Sequence, residues 1–306
     1  MSYCNFVAHS IERVPQEKIW QHIEKCGRVC YKSEDKMTDE SAQKFIDNLR
    51  KREHNSVLEH GTIYLVVPRP LNAVNGDNLY KYLKLIEHYE HNHWSRIHIE
   101  PDKVYITTNF RVLVENGWED DLEFRVEEPT KYHRTRVTFK FVHDVGIARD
   151  SNRHRAHSIS EESTRFINYG KKGATFTSSP FTPTECENWD DTRTPMVFEN
   201  MWMGEHEDEI TDLDVWLFSC YTSTYCYNKL INLGWSPQMA RRALNFGVKT
   251  ETYYTAFVDD WVEYIRKREH AHPDLKKLVR QMIELLKDEI PEDVYLKYSQ
   301  LYKDCI

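Results

Sequence analysis

Residues 153–166 bring together side chains whose types could do chemistry. They read R-H-R-A-H-S-I-S-E-E-S-T-R-F and include three arginines, two histidines and two glutamates. Fixed cations beside hydroxyl groups and carboxylates suit the binding of a phosphorylated ligand that also needs hydrogen bonds. Because only Ala156, Ile159 and Phe166 supply apolar bulk, we do not expect an ordinary core helix or strand here. A solvated, charge-rich surface is the alternative that composition alone favours.

Composition limits the kinds of protein that this chain can be. Hydrophobic residues are 40% and charged residues 29% of the 306 positions, which is typical of a globular protein. The formal net charge of -8 argues against a protein that coats nucleic acid, because such proteins carry a basic excess. An anionic ligand would therefore need a local cluster of arginines.

Cysteine spacing and hydropathy indicate the compartment. The seven cysteines are scattered and form no C-x-x-C pair, so neither a zinc ribbon nor a disulfide framework is indicated. The N-terminus has no signal-peptide pattern, and no apolar run approaches the roughly twenty residues that span a membrane. We therefore expect a soluble, cytoplasmic protein with reduced thiols and no membrane partner.

The residues that precede 153–166 predict a strand that would support them. R-V-T-F-K-F-V-H-D-V alternates in polarity, with Val137, Phe139 and Phe141 on one face. The pattern continues through G-I-A-R-D-S-N, so we expect the reactive side chains directly at the end of a sheet strand. A strand is a rigid support for ligand-binding groups.

Helical and strand signals alternate along the rest of the chain without an internal repeat. Residues 3–8 and 62–67 predict strands, 118–135 and 170–207 predict loops, and 248–256 are ambiguous. Cap residues, prolines and apolar spacing predict helices that begin near Pro15, Thr38, Leu79, Phe110, Asp212, Pro237, Asp259 and Pro273. We expect one α+β domain over residues 1–306, with a large insertion at residues 67–135.

The pattern R-H-R, seven residues and then Ser resembles the signature of the flavin-dependent thymidylate synthases. It runs here from Arg153 to Ser163, and S-E-E-S-T-R-F resembles the family's continuation, with Glu161 and Arg165 in matching places. L-E-H-G-T at residues 58–62 is similar to the family segment that approaches the flavin.

Further segments carry the same resemblance. A-R-x-x-L at residues 240–244, T-E-x-Y-Y-T at 250–255 and G-R-V-C-Y at 27–31 are similar to other family elements. The chain also departs from the family, because the N-x-R that touches flavin elsewhere is replaced by F-V-D at residues 257–259. Those flavin contacts are not carried over to this chain.

The resemblance implies the reductive methylation of dUMP to dTMP. In that reaction 5,10-methylenetetrahydrofolate donates the carbon, FAD carries the hydride and NADPH is the reductant. The family resemblance also implies a largely antiparallel sheet packed with helices, and a homotetramer with shared active sites. Ser163 is not expected to act as a nucleophile, since family members work without one on the pyrimidine.

The resemblance assigns roles residue by residue. Arg268 is the expected catalytic residue, which would polarise the uracil at N3; cations near the ring oxygens stabilise negative charge that develops there. The residues expected to bind dUMP are Arg153, Glu161, Ser163, Arg165, Arg241 and Arg268. The residues expected to bind FAD are His60, Thr62, Arg153, His154, Arg155, Glu161 and His272.

Two other classes of protein remain open. The first is a nucleotide- or RNA-binding protein that uses R-H-R as a phosphate clip without redox chemistry. The second is a metal-dependent phosphohydrolase that uses His88, His91 and His93. No clear carboxylate pattern accompanies these histidines, so we expect no metal site. Bound flavin would distinguish the first class, and sensitivity to chelation the second.

Overall fold

A computed structural model describes residues 4–16, 18–70 and 76–303. The described strands are β1 (Cys4–Val7), β2 (Ser10–Val14), β3 (Thr62–Pro68), β4 (Arg96–Ile99), β5 (Lys103–Asn109), β6 (Arg125–Val126), β7 (Arg136–Asp144), β8 (Ser158–Glu161), β9 (Ala174–Thr177) and β10 (Lys249–Phe257). The described helices are α1 (Ile19–Arg28), α2 (Ser41–Lys51), α3 (Gly76–Glu90), α4 (Phe110–Asn116), α5 (Val145–Ser151), α6 (Tyr169–Lys172), α7 (Pro183–Glu187), α8 (Thr194–Met203), α9 (Asp212–Asn232), α10 (Pro237–Ala240), α11 (Val258–Arg266), α12 (Pro273–Leu285) and α13 (Glu292–Leu301). The predicted α+β class is confirmed.

The central sheet has the strand order β2-β7-β10-β8, and every neighbouring pair is antiparallel. Strand β10 pairs with β7 over its whole length, from Lys249 opposite Asp144 to Phe257 opposite Arg136. The ambiguous run at residues 248–256 is therefore largely a central strand. Its β-branched and aromatic residues suit a strand that is covered on both faces.

One face of the central sheet forms an apolar core with α11, α12 and α13. Phe139 and Phe141 of β7 are fully buried, and the ring of Phe139 lies edge-on to Trp261 at 5.0 Å between centroids. Burial of each large apolar side chain contributes about 1.5–3 kcal/mol. The alternating pattern predicted for this strand is confirmed.

The opposite face of the central sheet carries hydroxyl and charged side chains and packs against α1 and the turn Asn55–His60. Thr138 of β7 and Thr255 of β10 stand opposite each other, with their hydroxyl oxygens 2.7 Å apart. His22 of α1 reaches this row through Nε2, which lies 3.0 Å from Thr138 Oγ1. The polar groups that position β8 belong to this face.

A second antiparallel sheet has the order β4-β5-β3-β6. Strand β3 pairs with β5 from Thr62 opposite Asn109 to Pro68 opposite Lys103. Its apolar side chains share a core with α1 and α2. Three of these four strands fall within residues 67–135 and the fourth begins before them, so the segment is integrated with its surroundings. That it is an insertion stays a prediction.

The loop prediction for residues 170–207 was wrong in part. This region contains α6, β9, α7 and α8, and Phe176 and Cys186 are fully buried in it. Strand β9 pairs in parallel with β1, so that Phe176 stands opposite Phe6. A strand of four residues whose partner lies far away in the sequence leaves little local signal.

Helix starts and the support of residues 153–166 also differ from expectation. The first helix begins at Ile19 because residues 10–14 form β2, and the second begins at Ser41. Strand β7 ends at Asp144, whose Oδ1 accepts a hydrogen bond from the Ile147 amide at 2.8 Å and caps α5. A helix therefore separates β7 from residues 153–166.

Candidate functional site

Residues 153–166, called the R-H-R stretch below, are divided between two turns and strand β8. The first turn follows α5, the strand occupies Ser158–Glu161, and a second turn follows it. Strand β8 forms despite its few apolar residues, because Ser158 and Ser160 are buried through hydrogen bonds. The expectation that the stretch would not form a core strand was therefore wrong for these four residues.

His154 and Arg268 lie together at the start of the stretch. The Arg268 guanidinium carbon lies 4.2 Å from the centroid of the Tyr264 ring, and its Nη2 donates to the Asp150 carbonyl at 3.2 Å. The His154 ring stands edge-on to the same Tyr264 at 5.4 Å. Burial, assisted by the Arg268 charge, lowers the pKa of His154, so the ring is neutral near pH 7.

Several nitrogens in this group have no hydrogen-bond partner among the described residues. They are Nε2 of His154, Nε of Arg268 and both ring nitrogens of His157, and all four are buried. The His157 ring lies 4.7 Å from that of His154 and 4.1 Å from that of Trp261. Sequence analysis missed His157, whose burial could not be read from a charge-rich context. Unbonded buried nitrogens are expensive and mark a place where a polar ligand could bind.

Arg153 and Arg155 flank this group and point to solvent. Both are exposed, and neither forms an ion pair or a side-chain hydrogen bond with any described residue. Of the predicted FAD-binding residues, His154 is thus a buried ring. Arg153 and Arg155, on either side of it, are cations without an ion-pair partner among the described residues.

Arg165 and Arg241 lie at the other end of the stretch and are joined to it by short contacts. Arg165 donates from Nε and Nη2 to Gln238 Oε1 at 3.2 and 3.1 Å. Arg241 donates from Nη1 to Thr164 Oγ1 at 2.8 Å. Ser163 Oγ accepts from the Arg165 amide at 3.3 Å. Neither guanidinium contacts a carboxylate of the described residues, which leaves both charges available for a phosphate.

Glu161 is the last residue of β8, and its carboxyl group is held by the residue that precedes the R-H-R stretch. Its Oε2 accepts from Asn152 Nδ2 at 2.7 Å, and Asn152 Oδ1 accepts from the Tyr254 hydroxyl at 2.7 Å. Burial raises the pKa of Glu161. The carboxyl group is therefore oriented by Asn152 and is easier to protonate than an exposed glutamate.

His60 and Thr62 lie behind β8. The His60 ring is fully buried, with Nδ1 2.8 Å from Thr255 Oγ1 and Nε2 3.0 Å from Ser160 Oγ. Burial lowers the pKa of His60 well below its usual value, so the ring is neutral. Thr62 Oγ1 accepts from Nη1 of Arg136 at 3.4 Å. Both side chains support the strand here, and their contact with FAD stays a prediction.

His272 is the N-cap residue of the helix that follows Arg268. It caps α12, because its Nδ1 accepts from the Asp274 amide at 3.2 Å, and its side chain is half exposed. Among the described residues, its side chain makes no hydrogen bond or ring contact with His154 or Arg268. Its role toward FAD also stays a prediction.

A model of the family described as "Thymidylate synthase complementing protein" matches residues 127–292, slightly more than half of the chain. The chain belongs to this family. The match confirms the family recognised from the R-H-R stretch. It includes the stretch itself, Arg241, Arg268 and His272, whereas His60 and Thr62 lie before it.

Two solved structures that are similar to the chain share little sequence identity with it. A structure of "a UMP/dUMP methylase PolB from Streptomyces cacaoi bound with 5-Br UMP" is 13% identical, with 98% of this chain and 97% of that chain covered and a TM-score of 0.39. The same enzyme "bound with 5-Br dUMP" is 15% identical over 85% of this chain and 78% of that chain, with a TM-score of 0.34. No curated protein matches the chain. No helix among the described residues is long and apolar enough to cross a membrane.

Within this family member, the structure adds a buried charge network that sequence analysis missed. Glu162 is fully buried, and its carboxylate oxygens lie 2.9 Å from Nζ of Lys32 and of Lys249. The Tyr169 hydroxyl donates to the same carboxylate at 3.3 Å. Burial alone would lower the pKa of Lys249, but Glu162 and Glu251 outweigh it and the pKa is raised. This network anchors the end of β8.

Two of the histidines weighed as metal ligands, His88 and His93, make ring contacts instead. His88 stacks on Trp118 with 4.7 Å between ring centroids, and His93 lies edge-on to Trp94. The described residues bring three potential ligand atoms together only at Glu199, Glu205 and His206, which are exposed. Exposed acidic groups of this kind are common on surfaces.

Proposed function

We propose that this protein catalyses the reductive methylation of dUMP to dTMP in the cytoplasm. The carbon donor is 5,10-methylenetetrahydrofolate, FAD carries the hydride and NADPH is the reductant. The observation that carries the proposal is the grouping of unmatched cations along β8. Arg165 and Arg241 lie at one end, Arg268 lies at the other, and all three fall within the residues that match the family.

The nucleotide site would be formed by both ends of the R-H-R stretch. Arg165 and Arg241 supply paired donors for the phosphate of dUMP, with Ser163 beside them. Arg153 and Glu161 provide a cation and a hydrogen-bonding carboxyl group between the two ends. A charge-assisted hydrogen bond of this kind contributes about 1.5–3 kcal/mol.

Arg268 would act on the uracil ring. Negative charge develops on the ring nitrogen and oxygens when C5 attacks the electrophilic carbon. A guanidinium that is already positioned over Tyr264 stabilises that charge without further reorganisation. Ser163 remains a binding residue in this scheme, and no side chain bonds covalently to the pyrimidine.

The residues at the start of the stretch fit a large polar cofactor. The unbonded nitrogens of His154 and Arg268 lie beside the exposed cations Arg153 and Arg155, which suits the phosphates and ring edge of FAD. With Glu161, and with His60, Thr62 and His272 as further candidates, these residues would bind FAD. The cofactor supplies the redox chemistry, and the protein supplies orientation and charge.

The first test of the function is whether the purified protein contains flavin. Purified protein should be yellow, show flavin absorption bands and release FAD on denaturation. It should then form dTMP from dUMP and methylenetetrahydrofolate only when NADPH is added. A colourless protein that cannot be reconstituted with FAD would contradict the proposal and favour the phosphate-clip alternative. Activity that survives strong chelation would count against a metal-dependent phosphohydrolase.

We also propose a homotetramer with shared active sites. Exposed apolar side chains on α8 support a subunit contact there, since Trp202 and Met203 are 76% and 71% exposed. Light scattering coupled to gel filtration should give four times the 36.7 kDa of one chain. A monomeric mass for active protein would contradict this part of the proposal.

A further inference from the structure

A pocket of about 480 Å³ lies between α1, the residues that follow it and α2, on the side of the molecule that meets the end of the R-H-R stretch. Its volume lies within the range of small-molecule sites, about 300–1,000 Å³. Three permanent cations line it, namely Arg28, Lys36 and Arg52, and none of the described lining residues is a carboxylate. The pocket is therefore cationic in a chain whose formal net charge is -8.

The cations of this pocket differ in how they are balanced. Arg28 is buried and donates from Nε to Glu24 Oε1 at 2.8 Å, so its charge is matched within the protein. Lys36 and Arg52 are exposed, and neither forms an ion pair with any described residue. Two positive charges are thus available to an anionic ligand, and two hydrogen-bonding side chains, Ser33 and Asn48, stand beside them.

Aromatic rings complete the lining. Tyr31 is 39% exposed, and its ring lies 5.3 Å from that of Phe166, the last residue of the R-H-R stretch. Phe45 forms another wall, with the Arg28 guanidinium 4.9 Å from its ring centroid. A ring face beside unmatched cations is the chemistry that recognises a nucleobase together with its phosphate.

We propose that this pocket binds a phosphorylated nucleoside, namely the adenosine phosphate half of NADPH. The inference rests on the proposed function, which requires this reductant. Contact between Tyr31 and Phe166 puts the pocket directly beside the proposed dUMP site. A free nucleotide would offer the same chemistry, so the experiment must distinguish the two sources.

The probe is adenosine 2′,5′-bisphosphate, titrated calorimetrically into the full-length protein in the presence of excess dUMP, which occupies the R-H-R stretch. It should bind at least tenfold more tightly than uncharged adenosine. Arg52→Ala and Lys36→Ala should each weaken its binding by about tenfold, because each removes one charge-assisted contact. Lys51→Ala is the matched control, since Lys51 is exposed on α2 and does not line the pocket.

Equal affinity for the bisphosphate and adenosine, or wild-type affinity in both pocket variants, would overturn the proposal. If AMP binds as tightly as the bisphosphate, a free nucleotide is the ligand and the assignment to NADPH is wrong. In the assay, Arg52→Ala should raise the KM for NADPH by about tenfold and leave the KM for dUMP unchanged. Because the titration needs no turnover, failure of the proposed function would show as absent dTMP formation with the binding result intact.

Discussion

Two charge clusters flank strand β8, and they differ in how their charges are balanced. Inside the protein, buried Glu162 is matched by Lys32 and Lys249. On the outer side, Arg165 and Arg241 are hydrogen-bonded to neutral side chains and contact no carboxylate within the part of the chain that the structure describes. The inner cluster therefore balances its charges within the protein, whereas the outer cluster leaves its charges unbalanced.

The difference shows how to separate structural charges from functional ones. Breaking a buried ion pair by removing one partner costs about 3–5 kcal/mol, so the inner cluster must be complete for the fold to be stable. Unmatched surface cations contribute little to stability, and their charge is free for a ligand. Changes to the inner cluster should therefore affect the stability of the fold, and changes to the outer cluster should affect the binding of dUMP and FAD.

Arg268→Ala should give the largest effect, because Arg268 is proposed to stabilise charge on the reacting ring. We expect dTMP formation to fall by about 100-fold or more, while NADPH oxidation is partly retained. Arg266→Ala is the control, since Arg266 is an exposed arginine at the end of α11, two residues before Arg268. Equal loss of both half-reactions in Arg268→Ala would indicate a defect in folding or flavin binding instead.

The next largest effect should come from acid, which should lower the free energy of unfolding through the buried histidines. Burial lowers the pKa of His22 to about 3 and of His143 to about 4, and it lowers the pKa values of His60 and His157 well below their usual range. Because the folded-state pKa values lie below the unfolded ones, the stabilisation is complete above about pH 6.5 and is lost as the pH falls.

The expected loss between pH 6.5 and 5.5 is about 1 kcal/mol for each of these four histidines, or about 4 kcal/mol in total. Urea unfolding at several pH values measures it. His143→Gln should reduce the pH dependence of the free energy of unfolding by about a quarter. His91→Gln, which changes an exposed histidine, should leave that pH dependence unaltered. A free energy of unfolding that is constant over this range would show that these histidines are not neutral in the folded protein.

Glu162→Gln tests the inner charge cluster directly. It leaves Lys249 short of one buried partner, so the free energy of unfolding should fall by about 3 kcal/mol. Glu161→Gln is the matched comparison, because it changes the adjacent carboxyl group on the ligand side. We expect it to weaken dUMP binding with much less effect on unfolding. If both variants changed stability equally, the distinction between the clusters would fail.

Arg241→Ala should give the smallest effect, confined to the ligand. Loss of one phosphate contact is expected to weaken dUMP binding by about tenfold, with the free energy of unfolding changed by less than about 0.5 kcal/mol. Arg242→Ala provides the control, since Arg242 is exposed and forms no ion pair with any described residue. Calorimetric titration with dUMP measures the difference, and unchanged affinity in Arg241→Ala would remove this residue from the proposed site.

The family and several elements of the fold could be predicted because their signals are local. The R-H-R to Ser163 spacing identified the family, and alternation along β7 identified the strand that anchors the core. Helix signals at Asp212 and Pro273 were also confirmed, since caps and first-turn prolines act within a few residues.

Other features could not be predicted because they depend on partners distant in sequence. Pairing with β10 makes β8 a strand although it has few apolar side chains, and pairing with β1 does the same for β9. His60 is bonded to Thr255 and Ser160, so its environment depends on two other segments. No local pattern records such contacts.

The sequence by itself determined the family, the α+β class and the cations available for an anionic ligand. Only the tertiary structure decided which charges are matched. The adjacent residues Glu161 and Glu162 show this most clearly, because one is bonded to Asn152 on the ligand side and the other to two lysines inside. The energy of a charge depends on its burial and its partners, and both are properties of the folded chain.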